Sequence, residues 1–216
     1  MLDLLHQRDR LAASIEASMG PFEPLYLQAI RVVPRERFVR AADIARSSED
    51  VPLPLDDTGL ATVSAPHAYL LSFRLLALAP TDRLVELGSG SGYGAALASF
   101  IVGARGHVLT IEIDPTLVER ARSLLADHPG VDVVHGDAVL STPLWTGGVR
   151  KVVCTFAVHE IPHAWLEALP DGGVLVAPVG AQEAQELLRV QREGDALKIT
   201  RHGGVRYVAN RSKPFT

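Results

Sequence analysis

The spacing of apolar positions changes character twice along the chain. In the first 49 residues Leu4, Leu5, Leu11, Ala12 and Ile15 recur three and four apart, with Arg8 inside the same stripe. This predicts an amphipathic helix ended by Gly20-Pro21. A second helix is predicted over 24–32. Residues 51–66, VPLPLDDTGLATVSAP, are broken by three prolines and suit neither the helical nor the strand period, so they predict a loop with one short strand near 61–63. Structureless connections of that length in compact domains mostly bind something or are disordered.

From about residue 67 helical stretches alternate with short apolar ones. Strands are predicted at 83–87, 108–112, 131–135, 151–155 and 174–179, rich in Val, Leu and Ile as expected for strands covered on both faces. The helix after the second strand is the clearest. Asp114 suits its cap and Pro115 its first position, and Leu117, Val118, Ala121, Leu124 and Leu125 share one face. The alternation predicts an α/β fold, a doubly wound and mostly parallel sheet preceded by N-terminal helices. Segments 187–191, 197–200 and 205–208, separated by Gly194 and Gly203-Gly204, predict an antiparallel addition at its edge.

Composition narrows the class. With 216 residues, 47% hydrophobic and 21% charged, a full core forms without staples. The one cysteine, Cys154, excludes an internal disulfide and a thiolate zinc site, and is expected to be a buried strand residue in a reducing compartment. No apolar run reaches the roughly 18 residues of a membrane span. The opening MLDLLHQRDRLAAS mixes acids and bases where a signal peptide is continuously apolar. A cytoplasmic protein without a membrane partner is expected. A net charge of -4 gives no electrostatic case for a nucleic-acid partner.

The segment RLVELGSGSGYGAAL puts Gly88, Gly90 and Gly92 between the first core strand and a helix, where backbone turns tightly and comes close to a ligand. Glu112 ends the second strand, 24 residues after Gly88, where a carboxylate can accept from both hydroxyls of a ribose. Asp137, in HGDA, ends the third strand, where it can meet an adenine amine. The glycines alternate instead of following G-x-G-x-x-G, and Glu86 just before them suits an ammonium better than a pyrophosphate. The loop resembles that of class I methyltransferases, which implies S-adenosyl-L-methionine, a sulfonium cofactor without phosphate.

The likeness extends beyond that loop. VPRERFV at 33–39, ATVSAPH at 61–67, VELGSGSGYGAAL, IEID, HGDA, GGVLVAPVG at 172–180 and Gln185 stand in the order and approximate spacing of protein-L-isoaspartate O-methyltransferases, which the chain resembles over about 25–208. VPR-x-x-FV and SAPH are the specific part, since methyltransferases at large lack them. The resemblance implies a Rossmann-like methyltransferase fold and methylation of the α-carboxylate of L-isoaspartyl residues in damaged proteins or peptides. Spontaneous succinimide formation and partial return to aspartate would follow. The change of texture divides the chain into 1–66, helices and substrate loop, and 67–216, cofactor core, in one compact domain; the sequence leaves the oligomeric state open, with a monomer favoured. The cofactor residues the resemblance implies are Glu86, Gly88, Ser89, Gly90, Ser91, Gly92, Glu112, Ile113, Gly136, Asp137 and Ala138. The substrate residues are Ser64, Ala65, His67, Phe156 and Ala157, and no metal is implied.

A carboxylate is ionised at neutral pH, so attack on a sulfonium methyl needs no general base and the protein's task is alignment and shelter from water. Ser64 is the expected catalytic donor to the acceptor carboxylate; a turn serine bonding local backbone is the plain alternative. His67 is expected to cap the helix that begins there. Arg35, Arg37 and Arg40 are read as a solvated face, although an arginine near the acceptor site could hold a peptide carboxylate. HEIPH at 159–163 is read as a substrate-facing loop, because Pro162 breaks the spacing that would converge two imidazoles on a metal.

The chain departs from the family at Val149-Arg150, Phe156, Val158 and Ala209, near the expected acceptor groove. Two alternatives follow: a carboxyl methyltransferase of a dedicated peptide, acting on an aspartate or a C-terminal carboxylate, and a cofactor-binding adaptor without transfer activity. A nucleic-acid amine methyltransferase is disfavoured, because TFAVHEIP lacks the Pro-Pro-aromatic motif of that class.

Overall fold

The computed structural model describes residues 2–145, 148–181 and 183–211. Helix α1 (Leu2–Met19) buries Leu11, Ala12 and Ile15, while Leu5 of the same expected stripe is 44% exposed. Helix α2 (Pro24–Val32) buries Tyr26, Leu27, Ala29 and Ile30. The Tyr26 hydroxyl donates to the Leu78 carbonyl at 2.7 Å, just past the end of helix α3 (Pro66–Leu76).

The 51–66 stretch is more ordered than its composition predicts. Strand β1 (Leu53–Pro54) pairs with β2 (Thr62–Val63) as a small antiparallel hairpin. Asp56 knots its turn by accepting from the Thr58 and Gly59 amides, and Arg40 anchors it from outside through Asp57 at 2.7 Å. Prolines exclude long strands here, but two residues on each side suffice because side chains supply the remaining bonds.

The core then runs β3 (Arg83–Leu87), α4 (Tyr93–Val102), β4 (His107–Glu112), α5 (Pro115–Leu125), β5 (Val131–His135), β6 (Lys151–Cys154), α6 (His163–Ala168), β7 (Val174–Ala181), β8 (Ala184–Glu193) and β9 (Ala196–Val205). Among the described residues the sheet has seven strands in the order β5-β4-β3-β6-β7-β8-β9; the first five are parallel and the last two antiparallel. Alternate residues sort to opposite faces. Leu84, Val108, Val153 and Val176 join α2, α3 and α4 in one core. Val85, Leu87, Ile111, Val152, Cys154 and Leu175 pack with Trp165 of α6 in the other. Both faces are covered, which is why these strands read as apolar runs. Cys154 is 2% exposed, as expected, and burial pushes its thiol up. Among the described residues no helix is long and apolar enough to cross a membrane.

The expected strand at 205–208 is corrected. Strand β9 continues through Gly203-Gly204 and ends at Val205, after which the chain leaves the sheet edge. The Gln185 side chain captures it: Oε1 accepts from the Tyr207 amide at 2.7 Å and Nε2 donates to the Tyr207 carbonyl at 3.1 Å. Residues 208–211 then cross back over the carboxyl ends of the parallel strands as a strap. The Ala157 amide donates to Val208 and the Asn210 amide to Ala157.

Helix α5 is capped as its sequence predicts. Asp114 Oδ1 accepts from the Thr116 and Leu117 amides at 2.8 and 3.3 Å, and Oδ2 pairs with Arg211 of the strap at 2.6 Å. Asp114→Ala is expected to cost about 1 kcal/mol for the lost cap. Asp114→Asn keeps the cap and gives up only the ion pair, so it should cost less in thermal unfolding. Equal losses would show that the cap contributes nothing beyond the pair.

Candidate active site

From β3 the sheet grows toward β4 on one side and β6 on the other, and ligands of doubly wound sheets bind outside the carboxyl ends at such a switch point. A concave cavity lies there, where the carboxyl ends of the strands meet the hairpin. Gly88, Ser89, Gly90 and Ser91 form its floor. Ile111, Glu112, Ile113 and Leu117 form one wall, continued by Gly136 and Ala138, and Thr155 and Phe156 form the other. Residues 60–64 of the hairpin, Tyr69 and the 208–211 strap roof it.

Each functional group is held by a specific bond. Gly88 has φ +95°, and its carbonyl accepts from the Thr155 hydroxyl at 2.6 Å. Glu112 is 6% exposed. Its Oε2 accepts from the Gly90 amide at 2.8 Å, and its Oε1 accepts from the Ile113 and Asp114 amides at 3.0 Å each. Three of its four acceptor sites are thereby spent, which leaves one on Oε2. Ser91 Oγ is buried and has no protein partner. Buried hydroxyls are nearly always bonded, so this orphan at the cavity floor is what a bound polar ligand would satisfy.

Ser64 stands where this cavity meets a wider groove lined by Ala65, His67, Leu71, Gln185 and Arg206. Its amide donates to the Tyr69 hydroxyl at 3.3 Å and its carbonyl accepts from Arg35. Ser64, Ala65 and His67 therefore gather on the groove, and Phe156 on the cavity.

Four expected site residues, Glu86, Gly92, Asp137 and Ala157, lie off the cavity lining, and the expectations for His67 as a cap and Arg35 as a surface residue are corrected. Glu86 does not line the cavity. On β3 it faces the same side as Leu84, toward α3 and α4, where Thr110 donates to it at 2.6 Å and Ser89 Oγ lies 2.6 Å from Thr110 Oγ1. Burial, with the Glu112 charge adding and the Thr110 bond opposing, pushes its carboxyl up to about 8. With no cation beside it among the described residues, burial thus favours the neutral acid at this position. Gly92 also faces away. It opens α4 with φ +93°, and a Cβ there would sit 2.8 Å from Leu125 of α5, so it serves helix packing. Asp137 is not on the lining; its Oδ1 accepts from the Val139 amide while its neighbours Gly136 and Ala138 reach the cavity. Ala157 lines neither space, because its backbone is committed to the strap. His67 does not cap α3. Asp50 does so from outside the helix, accepting from the His67 amide at 3.0 Å and lying 2.9 Å from His67 Nδ1. Burial raises the Asp50 carboxyl, but the His67 bonds outweigh it and the group ends below its usual range. Arg35, placed on a solvated face by the sequence, is 1% exposed.

Thr155, Tyr69 and the strap were not anticipated. Nothing local marks them, since Thr155 bonds residues 67 and 68 positions away. Arg35 carried a signal, its place in the VPR-x-x-FV segment that most sharply separates this chain from other methyltransferases.

The doubly wound sheet, the glycine floor at its switch point and the acid ending the second core strand define a class I, Rossmann-like methyltransferase. The sequence profile of the family Protein-L-isoaspartate(D-aspartate) O-methyltransferase (PCMT) matches residues 22–214, and the chain belongs to that family. The chain is 39% identical over 186 residues to the Protein-L-isoaspartate O-methyltransferase of Yersinia enterocolitica, covering 84% of this chain and 85% of that one. Among solved structures, one named protein-L-isoaspartate O-methyltransferase superposes with a TM-score of 0.85 at 24% identity, over 94% of this chain and 65% of its own length. A Plasmodium falciparum structure in complex with S-adenosyl-L-homocysteine gives 0.81 at 17% identity, over 94% and 98%. At these identities the superpositions speak for the fold.

Proposed function

We propose that this enzyme transfers the methyl group of S-adenosyl-L-methionine to the α-carboxylate of L-isoaspartyl residues in proteins or peptides. Family membership supports the activity. The observation that carries its assignment to this site is the position of Ser64, on the shared wall of a roofed cavity and an open groove. A small cofactor fits the first and an extended chain the second.

The cofactor, when bound, supplies an electrophilic sulfonium methyl. The remaining tasks belong to the protein. The 88–91 backbone and the Ser91 hydroxyl would hold the amino-acid end, with its partnerless oxygen finding a bond there. Glu112 has one acceptor site for a ribose hydroxyl; accepting two, as its position in the sequence implies, requires the Gly90 amide to let go. Ile111, Leu117 and Ala138 offer apolar contact to the base. The hairpin and the strap exclude water, and Ser64 orients the acceptor carboxylate, which is already ionised and needs no base.

The test is labelling of an isoaspartyl peptide against its ordinary aspartyl twin. The isoaspartyl peptide alone should be methylated. Ser64→Ala should lower kcat/KM by about 10- to 100-fold, the worth of a hydrogen bond to a charged group, while leaving S-adenosylhomocysteine affinity unchanged. Equal labelling of the two peptides would replace the repair function with that of a general or dedicated carboxyl methyltransferase.

A further inference from the structure

Methyl transfer as derived above leaves Arg35 without a role, yet few residues are more deliberately held. Its Nη1 donates to the carbonyls of Ser47 and Glu49 at 3.1 and 2.8 Å, and its Nη2 to those of Val51 and Ser64 at 2.7 and 3.2 Å. The guanidinium carbon lies 5.9 Å from the Tyr93 ring centroid. Among the described residues no carboxylate lies within ion-pair distance of it. Burial pulls its pKa down, with Tyr93, Tyr69 and Asp50 opposing. A buried charge with no carboxylate in direct contact and its Nε unbonded is costly, and only a planar fork can serve four carbonyls at once.

The four acceptors show what that cost secures. Ser64 is gripped on both sides of its residue, its amide by the Tyr69 hydroxyl and its carbonyl by Arg35. The other three carbonyls belong to the 47–51 belt, whose Asp50 holds the amide and ring of His67. Arg35 thus fixes residues 64–67, which run from the Ser64 wall shared by cavity and groove into the groove, directly and through that belt.

We propose that Arg35 is a positioning residue for methyl transfer, holding the Ser64 backbone so that the serine side chain addresses the acceptor carboxylate. The proposal rests on the role assigned to Ser64 above. The test is a double-mutant cycle of Arg35→Lys with Ser64→Ala in the full chain, assayed on the isoaspartyl peptide and accompanied by calorimetric titration with S-adenosylhomocysteine. Arg35→Lys should lower kcat by about 30-fold, a misplacement effect, and Arg35→Met by more. S-adenosylhomocysteine affinity should stay within about threefold, and on the Ser64→Ala background the lysine should cost less than about threefold, because no hydroxyl remains to be placed. Equal losses on both backgrounds, or affinity falling in step with kcat, would overturn the proposal and leave Arg35 a fold-holding residue. If Arg35→Met fails to fold, Arg35→Lys carries the cycle alone. Wild-type inactivity on the isoaspartyl peptide would refute the proposed function instead. Hydrogen exchange would then decide for Arg35: faster exchange at 62–67 but not at 88–92 in Arg35→Lys supports the clamp, and unchanged exchange at 62–67 refutes it.

Discussion

Gly88→Ala is expected to lower the affinity for S-adenosylhomocysteine by more than about 100-fold, a cost near 3 kcal/mol. At φ +95° an L side chain pays about 1–2 kcal/mol in backbone strain alone. The new Cβ would also collide with Thr155 Oγ1 and lie 2.9 Å from Phe156 Cδ1. Thr155 cannot swing aside without giving up its bonds to the Leu87 and Gly88 carbonyls, at 3.1 and 2.6 Å. Phe156 can retreat only by reshaping the cavity wall. Gly103 separates the two effects. It has φ +67° but open space around its would-be Cβ, so Gly103→Ala should lose stability and keep affinity. Calorimetric titration of both variants measures the difference, and a Gly88→Ala protein binding within threefold of wild type would show that the loop relaxes at no cost.

Glu86→Gln is expected to stabilise the enzyme, increasingly so as pH rises. The folded state holds the Glu86 proton up to about pH 8, whereas the unfolded chain releases it near 4.5. Between those values the folded state binds more protons, so the wild type loses stability as pH climbs through that window and the loss is complete above pH 8. Glutamine keeps the neutral shape and the oxygen that accepts from Thr110. At 1.36 kcal/mol per pH unit, the advantage of the variant is bounded at about 5 kcal/mol above pH 8 and should nearly vanish below pH 5. Denaturant unfolding of both proteins at pH 5, 7 and 9 reads it directly, and equal stability at pH 9 would refute it. Affinity for S-adenosylhomocysteine should stay within about threefold. A large loss would reinstate Glu86 as a partner of the cofactor ammonium.

Glu86 shows where the sequence leaves the direction of a side chain open. Its distance from the glycine loop is that of a ligand residue, but a strand sends alternate side chains to opposite faces. Two positions before Gly88 puts it toward α3 and α4, where Tyr69 and Gly94 wait. Gly92 reads as the third member of a cradle, and its position at the cap of α4 also makes it the place where α4 meets α5. The place of Glu112, Gly90, Ser91 and Ile113 on the cavity lining was legible because it follows from lying at a strand end or in the turn beyond it, which chain order alone fixes.

What the sequence determined by itself was everything that depends on near neighbours: the periods of the helices, the apolar runs of the buried strands, the Asp114-Pro115 start of α5, and the glycine turn after β3. Those are decided over a few residues, where covalent geometry limits the choices. What only the tertiary structure decided was which distant groups share a face. Arg35 finds its carbonyls 12 to 29 residues downstream, and Gln185 catches a chain 22 residues on to make a strap of a predicted strand. Such bonds exist because packing brings their partners together and denies them water, and no local pattern records that.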